Sequence, residues 1–307
     1  MKIGVKLHHS GFGANPEMMK KWTLTAEKLG FHLISVADHI GLTPEVIGDY
    51  PDPYYEVFTN LAWLAGLTTN IELNTSVVVI PYRHPITTAH LVANVDQLSG
   101  GRFIFGVGVG WAKTEFDALG ISFSKRGKLT DEYLKIMKLL WTNDSISYKG
   151  EYIQFKDIKV SPKPIQKPHP PIWVGGQSKI ALKRAVLLGE AWHPIGITTN
   201  WLKTVGIPLL SEMAKKFNKP IPQICPRIFC RITQTDISEE HRIAGEGTLD
   251  QIRRDFEVFY ELGCSYLILD TKRNNPTANT DEHYDDAWST LSLVADKLID
   301  LKNKSLR

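Results

Sequence analysis

The sequence predicts one (β/α)8 barrel of the TIM type, an α/β fold, spanning residues 1–307 with an insertion between the fourth and fifth units. Strand-like and helix-like segments alternate along the whole chain, eight such units can be counted, and no linker divides them. Consecutive units of this kind pair their strands in parallel and usually close into a barrel. An open doubly wound sheet is the alternative architecture, because it shows the same alternation.

The predicted strands are short runs rich in apolar and β-branched residues, each followed by helical periodicity. The second is too continuously apolar for a half-exposed strand, which suits a strand buried on both faces. Strands are predicted at 2–7, 31–38, 71–80, 102–110, 171–176, 190–196, 224–234 and 264–270. Helices are predicted at 15–30, 54–68, 85–99, 111–119, 127–142, 178–189, 199–217, 248–262 and 283–303.

Residues 143–171 break this alternation. The run YKGEYIQF (148–155) is typical of a hairpin, and SPKPIQKPHPP (161–171) after it is rich in proline. Proline lacks the backbone donor that helices and central strands need, so this segment is predicted to be an insertion rather than a barrel unit.

Composition excludes several classes of function. The net charge is only +3 and basic residues form no long run, so neither nucleic acid nor an anionic membrane is an expected partner. The three cysteines, Cys225, Cys230 and Cys264, show no metal-ligand spacing, and we expect neither a metal site nor a disulfide framework. MKIGVKLHH at the start alternates like a strand, and no apolar run is long enough to cross a bilayer. We therefore expect a cytoplasmic protein that acts on a small molecule.

Polar residues and glycines follow most of the predicted strands, where barrel enzymes carry their chemistry. These residues are His8 and His9, Asp38 and His39, Ser76 through His84, Gly108 through Trp111, Gly175 through Ser178, His193, Arg231 and Asp270. His39 is a candidate for proton transfer near neutral pH, although a structural histidine is the alternative. We expect Trp111 to line a substrate pocket or the core, and Glu115 to lie at the surface or in an interface.

Two glycine-rich segments have a structural and a functional interpretation. GVGVG (106–110) either lets a strand end pass close to a neighbour or admits the face of a flat ring. GGQSK (175–179) either caps a helix at Ser178 or binds an anion such as phosphate at its first turn.

Several longer segments together resemble the bacterial luciferase-like superfamily, and within it the oxidoreductases that use coenzyme F420, a deazaflavin. The matching segments are SVADHI (35–40), LNTSVVVIPYRHP (73–85), LSGGRFIFGVGVGWAKTEFDALG (98–120), PPIWVGGQSKIALKRAVLLGEAWHP (170–194) and GTLDQIRRDFEVFYELGCSYLILD (247–270). The resemblance implies a barrel that holds a flavin-like ring at its strand ends, with a cis peptide bond between Ser76 and Val77 behind the ring. The cofactor-binding residues that it implies are Asp38, Ser76, Val77, Gly108, Val109, Gly110, Gly175, Gly176, Gln177 and Ser178.

One position departs from the sugar-phosphate dehydrogenases of that superfamily. Trp111 stands where they carry a proton-transferring glutamate, which disfavours a sugar phosphate and favours an apolar or aromatic substrate. His39 and Trp111 are then the catalytic candidates. The resemblance implies hydride transfer between coenzyme F420 and a small organic substrate, in a homodimer.

Three alternatives stay open at the level of the sequence. The first is a monooxygenase that uses reduced FMN and oxygen. The second is a flavin-binding protein without turnover. The third is a phosphate-binding barrel of the isomerase or aldolase kind, although no lysine or glutamate stands at a strand end to serve it.

Overall fold

The centre of the chain is a curled parallel sheet, in an α/β fold of TIM-barrel-like form. A computed structural model describes residues 1–240, 242–271 and 280–307, with side chains for all of these except 280–284. Within these residues the sheet strands are Lys2–Lys6, Leu33–Val36, Glu72–Thr75 with Val78–Val79, Phe103–Gly108, Ile172–Gly175, Ala191–His193, Gln223–Ile224 with Arg227–Phe229, and Tyr266–Asp270.

Each strand pairs in parallel with the next along the chain, and the first pairs with the last. The seventh strand has two halves. Gln223–Ile224 pairs with the sixth strand, whereas Arg227–Phe229 pairs with the eighth. The strand order therefore follows the chain without the reversal of a doubly wound sheet, and that alternative is wrong.

Helices pack around the outside of this sheet. In the described residues they are Pro16–Leu29, Pro44–Ile47, Val57–Leu67, Pro85–Leu98, Lys113–Ala118, Arg126–Thr142, Lys179–Leu188, Thr199–Trp201 continued by Leu202–Gly206 and Ile207–Lys216, Leu249–Glu261 and Thr280–Lys297. The first helix is capped at both ends by its own sequence. Asn15 accepts a hydrogen bond from Met18 N at the amino end, and Gly30 adopts a left-handed φ of 90° at the carboxyl end.

Several elements differ from the prediction, three of them as follows. The four-residue helix Pro44–Ile47 was not expected, because so short a segment shows no periodicity. The last helix ends at Lys297, and Asp300 accepts a hydrogen bond from Asn303 N in the turn of a small hairpin after it. The seventh strand does not continue to residue 234: Arg231–Ile232 leaves the main sheet and pairs with Glu246–Gly247.

The segment 143–171 contains an antiparallel hairpin, Ile146–Lys149 with Gln154–Ile158. In the described chain, neither of these strands pairs with the main sheet. Glu132 anchors the hairpin, because its carboxylate accepts hydrogen bonds from the backbone N–H groups of Tyr152 and Ile153. The hairpin is as predicted, and its status as an insertion stays a prediction.

Two apolar clusters lie on the two faces of the sheet. The larger joins the outer face to the helices, and Leu267 and Leu269 of the eighth strand belong to it. Between them Ile268 turns the other way and joins the inner cluster. That cluster consists of Leu33, Ile104, Trp173, Ala191, Cys225 and Ile268. Among the residues described, no helix combines the length and apolarity that a bilayer span requires.

Candidate active site

A cavity of about 280 Å³ lies at the carboxyl ends of the strands. Its lining residues are Ala37, Asp38, His39, Tyr50, Ser76, Val77, Val79, Tyr82, Gly108, Val109, Gly110, Trp111, Gly175, Gly176, Ile195 and Arg227. Ten of the twelve site residues predicted from the sequence are among them, and Gln177 and Ser178 are not. The loops after the second to fifth strands therefore meet at one cavity.

His39 forms one side of this cavity and is bound to Glu115. The two side chains are buried, and His39 Nδ1 lies 2.8 Å from Glu115 Oε2. The Glu115 carboxylate also accepts hydrogen bonds from the hydroxyl of Tyr82 at 2.8 Å and from the backbone N–H groups of Ile40 and Gly41. Glu115 was expected at the surface or in an interface, and that prediction is wrong as regards the surface.

The ionisation of Glu115 follows from these contacts. Burial alone would raise the pKa of this carboxyl group, but the hydrogen bonds from His39, Ile40 and Gly41 outweigh it and lower the pKa below the ordinary value. The ionised carboxylate only accepts hydrogen bonds, so His39 Nδ1 must carry the proton that is shared between them. His39 Nε2 makes no hydrogen bond to any residue in the described ranges.

Two sets of hydrogen bonds connect the loop after the second strand to the short helix Lys113–Ala118, one from each side. Glu115 of the helix binds the start of the loop, and Glu45 of the loop accepts hydrogen bonds from the N–H and hydroxyl of Thr114. This tie holds an aromatic wall around the His39 ring. Its members are Tyr50, Tyr54 and Trp111, with ring centroids 4.6, 5.6 and 5.8 Å from that of His39.

Asp38 is held by the protein rather than free to move a proton. Its two oxygens accept a bidentate pair of hydrogen bonds from Arg83, both at 2.8 Å, and one of them also accepts from Val79 N at 3.0 Å. Arg83 further binds Glu56 at 2.8 Å. Asp38 therefore fixes the second half of the third strand beside the cavity.

The cavity floor is a chain of directed hydrogen bonds. The Ser76–Val77 peptide bond is cis, as the resemblance implied. His193 is buried with Nδ1 against the carbonyl of Cys225, and burial lowers its pKa to about 4. The neutral ring therefore accepts the Ser76 hydroxyl proton at Nε2, over 2.7 Å. The Oγ and carbonyl oxygens of Ser76 in turn accept hydrogen bonds from Arg227 Nη1 at 3.0 and 2.9 Å.

Sequence reasoning missed Arg227 and named Arg231 instead. Arg231 lies outside the cavity lining and binds Glu246 at 2.7 Å. The two arginines are four positions apart, so the strand end was placed too late. An arginine inside the apolar run ICPRIFC (224–230) was the usable signal, since a buried strand rarely carries an uncompensated charge.

His8 and His9 are buried outside this cavity lining. His8 Nε2 lies 2.9 Å from Thr271 Oγ1 and its ring packs on Trp22, whereas the His9 ring packs on Tyr54. The two side chains thus have different neighbours, as expected from strand alternation.

A sequence model of the luciferase-like monooxygenase family matches residues 1–242. The chain belongs to this family. It is 30% identical over 155 residues to the FMNH2-dependent dimethylsulfone monooxygenase of Pseudomonas putida, covering 50% of this chain and 42% of that relative. The chain thus spans less than half of that relative's length.

Two solved structures have the same fold. The monooxygenase RslO1 from Streptomyces bottropensis superposes with a TM-score of 0.75 at 20% identity, covering 96% of this chain and 98% of the other. An F420-dependent secondary alcohol dehydrogenase, solved with an F420–acetone adduct, gives a TM-score of 0.75 at 19% identity, covering 95% and 98%. At these identities the likeness concerns the fold alone.

For a luciferase-like chain, the cavity can be tested against a flavin-type ring. Its floor lacks side chains at Gly108, Gly110 and Gly175. Close packing alone explains the glycine at 108, because a Cβ on Gly108 would lie 2.5 Å from Val77 Cγ2. The structural interpretation of GVGVG therefore holds, because the strand ends pass closely. That the glycines admit the face of a flat ring stays a prediction. The cavity is near the lower end of small-molecule sites, about 300–1,000 Å³, which suits a ring whose tail extends outward.

The GGQS segment of this luciferase-like chain lies at the rim. Gln177 is exposed, and its side-chain amide donates to the carbonyl of Ile195 at 2.6 Å. Ser178 Oγ accepts a hydrogen bond from Ala181 N at 3.2 Å and caps the ten-residue helix Lys179–Leu188. The hydroxyl proton of Ser178 stays available to an anion at the helix start.

Proposed function

We propose that this chain is an F420-type oxidoreductase that transfers a hydride between a deazaflavin and a small organic substrate. The observation that carries the proposal is the buried His39–Glu115 pair beside a glycine-floored cavity. Such a pair supplies proton transfer at the substrate, which hydride transfer to a carbonyl or from an alcohol requires. An F420-dependent alcohol dehydrogenase has the same fold, so this fold can accommodate the proposed class of reaction.

The residues that would hold the cofactor fall into two groups. Val77, Gly108 and Gly110 would lie against the ring, and the exposed helix start at Gly176 and Ser178 would bind a phosphate through backbone N–H groups and the hydroxyl. The remaining residues predicted for this role are Asp38, Ser76, Val109, Gly175 and Gln177. Asp38 and Gln177 would act indirectly, because their side chains are already bound to the protein.

When bound, the deazaflavin supplies or accepts the hydride. His39 Nε2 takes the proton of a substrate hydroxyl, or returns it to a carbonyl oxygen in the opposite direction. Glu115 keeps the other ring proton on Nδ1, so Nε2 is the atom that changes protonation. Trp111 and Tyr50 cover His39 with aromatic surface that excludes water and favours an apolar substrate.

The test is direct binding of the oxidised cofactors. Coenzyme F420 and FMN are titrated separately into the protein, and ring absorbance and tryptophan fluorescence are followed. We expect F420 to bind more tightly, with quenching reduced in Trp111→Phe and unchanged in Trp63→Phe, an exposed tryptophan outside the cavity lining. Absence of binding by both cofactors contradicts the proposal.

A monooxygenase that uses reduced FMN is the second candidate. The 30% identity to an FMNH2-dependent dimethylsulfone monooxygenase favours it. Turnover under 18O2 separates the two candidates: a monooxygenase introduces labelled oxygen into its product, whereas an F420-type oxidoreductase yields an unlabelled carbonyl or alcohol without oxygen. We do not propose a flavin-binding protein without turnover, because the His39–Glu115 pair provides a proton carrier.

We further propose that residues 1–307 form one closed (β/α)8 domain and that the chain is a homodimer. Exposed apolar side chains support pairing through the helices beside the early strands, with Trp63 on Val57–Leu67 and Leu98 on Pro85–Leu98. Sedimentation equilibrium is the test, and a purely monomeric result at micromolar concentration contradicts the dimer.

A further inference from the structure

The indole of Trp192, in the sixth strand, holds the carbonyl oxygen of Gly176. Trp192 is fully buried, and its Nε1 donates a hydrogen bond to Gly176 O over 2.7 Å. Gly176 itself is exposed and lines the rim of the cavity. A buried side chain therefore fixes an exposed peptide group beside the candidate active site.

The surrounding helix makes room for the Trp192 ring. A Cβ on Gly206 would lie 2.7 Å from Trp192 Cη2, so a side chain at this position would displace the indole. Gly206 ends the segment Leu202–Gly206, which is π-helical between α-helical neighbours. Such turns are rare inside α-helices and often lie near functional sites. Packing therefore holds the indole N–H toward Gly176.

The hydrogen bond determines which way the peptide group between Gly176 and Gln177 faces. This peptide is trans, so its oxygen and its N–H group point in opposite directions, and the N–H of Gln177 points away from the indole. Gly176 has a φ of 106°, a region that glycine adopts readily, and glycine restrains the peptide after it less than other residues do. Within the described residues, Trp192 provides the hydrogen bond that fixes the Gly176 oxygen.

A second hydrogen bond restrains the same segment. Gln177 Nε2 donates to the carbonyl of Ile195, just after the sixth strand, over 2.6 Å. The backbone N–H groups of residues 177–180 make no hydrogen bond within the part of the chain that the structure describes. The two side-chain hydrogen bonds therefore fix a backbone segment whose own donors stay open.

The orientation of this peptide matters for an anion. At the start of Lys179–Leu188 an anion meets the N–H of Gln177 in the observed orientation, which attracts it, but the oxygen of Gly176 after a peptide flip, which repels it. We infer that Trp192, assisted by the Gln177 side chain, is a positioning residue that keeps this peptide in the orientation that binds the phosphate of the cofactor. The inference rests on the proposed function and adds the residues that prepare the backbone for the phosphate.

The expected size of the effect follows from the population of the two orientations. If loss of the indole N–H leaves the observed orientation about one fifth populated, the phosphate binds about fivefold more weakly. One neutral hydrogen bond is worth a shift of this size. A ligand without the phosphate does not use this peptide, so its affinity should not change.

The experiment compares ligands that differ by one phosphate group. FMN is compared with riboflavin, and 8-hydroxy-5-deazariboflavin 5′-phosphate with 8-hydroxy-5-deazariboflavin, which carries the ring of F420. The ratio of the two dissociation constants in each pair measures what the phosphate contributes to binding. All four ligands are titrated into wild type, Trp192→Phe, Gln177→Leu and Trp141→Phe, and inorganic phosphate is then added as a competitor.

Trp141→Phe is the matched control. Trp141 is only 2% exposed, its Nε1 donates to the carbonyl of Ala89 over 2.9 Å, and it lies outside the cavity lining. Trp192→Phe and Trp141→Phe each remove one buried indole donor and part of a ring, so both should lower the thermal stability. Circular dichroism checks that both variants fold.

We expect the phosphate to strengthen binding to wild type in at least one pair, and inorganic phosphate to compete with the phosphorylated ligand. Trp192→Phe lowers the ratio by about fivefold, through weaker binding of the phosphorylated ligand alone. Gln177→Leu lowers it by about twofold, because an exposed hydrogen bond competes with water. Trp141→Phe leaves the ratio unchanged.

The outcomes distinguish this inference from the proposed function. If the rings bind but the ratio is the same in wild type and Trp192→Phe, the inference is wrong and the proposed function stands. Equal weakening of both members of a pair in Trp192→Phe also contradicts the inference, because the indole would then support the whole cavity. If wild type binds none of the four ligands, both are wrong. Should Trp192→Phe fail to fold, Gln177→Leu decides, because its side chain is exposed.

Discussion

Two arginines, the half-buried Arg102 and the buried Arg227, stand at opposite ends of the curled sheet and are used in opposite ways. Arg102 stands just before the fourth strand, at the amino end, and all five of its donors reach oxygens of the protein. Its acceptors are the carbonyls of Ala65, Thr68, Ile71 and Ser99 and the hydroxyl of Thr68, at 2.6–3.1 Å. Arg227 stands in the seventh strand, at the carboxyl end. Within the described residues its hydrogen bonds come from Nη1 alone, and its Nε lies 3.5 Å from Asp270 Oδ2.

The difference separates structural from functional use of the same chemistry. At the amino end, Glu27 repeats the pattern of Arg102: one of its oxygens accepts the backbone N–H groups of Thr69, Asn70 and Ile71. Both groups hold loops together, and Arg102 has no donor left for a ligand. At the carboxyl end, Arg227 Nη2 and His39 Nε2 make no hydrogen bond to the described residues. Binding capacity is therefore concentrated at that end, as in barrel enzymes generally.

The largest effect is expected at the amino end. Arg102→Met leaves several carbonyl oxygens without donors, and we expect the free energy of unfolding to fall by about 3 kcal/mol. Urea denaturation measures it. Cofactor affinity in the folded fraction should be unchanged. If Arg102→Met kept normal stability but bound the cofactor more weakly, the amino end would not be purely structural.

Glu115→Gln is expected to affect activity more than affinity. The amide cannot hold His39 Nδ1–H as an anion does, so proton transfer at Nε2 loses its support, and we expect kcat to fall by about 100-fold with little change in KM. Steady-state kinetics across pH measures both. An unchanged rate and pH profile would show that His39 acts without Glu115 or does not act.

The effect of Glu115→Gln on the free energy of unfolding should also depend on pH. The folded-state pKa of Glu115 lies below its ordinary value of 4.5, so its ionised form stabilises the fold above that pH. This contribution is lost as the pH falls through the folded-state pKa. The difference in unfolding free energy between wild type and Glu115→Gln should therefore be full near neutral pH and shrink below about pH 4.5. A difference that grows on acidification has the wrong sign.

A smaller effect is expected at the glycine floor. Gly108→Ala places a Cβ against Val77 and should destabilise the protein by about 2 kcal/mol. The double variant Gly108→Ala with Val77→Ala removes the contacting methyl groups and should recover part of that loss. Thermal denaturation of the four proteins in the cycle measures the coupling. If the losses of stability of the two single variants simply add in the double variant, contact with Val77 is not the reason for a glycine at position 108.

The smallest effect is expected for Tyr82→Phe. It removes one neutral donor from Glu115 and leaves those of His39, Ile40 and Gly41 in place. We expect about 1 kcal/mol of destabilisation and a decrease in kcat of a few fold. A decrease in kcat as large as that of Glu115→Gln would indicate that Tyr82, rather than His39, carries the proton.

The sequence predicts the α/β fold because hydrophobic periodicity is a local property. The apolar residues of runs such as 31–38 and 264–270 indicate buried strands without any knowledge of distant contacts. It also places most strand-end residues correctly, since the carboxyl ends of parallel strands meet at one edge of the sheet. Glu115 escaped this reasoning, because it reaches His39 only through the packing of Lys113–Ala118 against the loop after the second strand. Arg227 escaped it because the seventh strand divides at Pro226, which no periodicity records.

The central claim is that the unfilled donors at the carboxyl end receive a flavin-type ring. A crystal structure of the protein with bound F420 or FMN, grown without oxygen in the reduced state, tests it most directly. We predict the ring over Val77, its pyrimidine edge within hydrogen-bonding distance of Arg227, and the contacts of Arg102 unchanged. A ring bound elsewhere, or one whose edge faces away from Arg227 while the arginine keeps its present contacts, would contradict the claim.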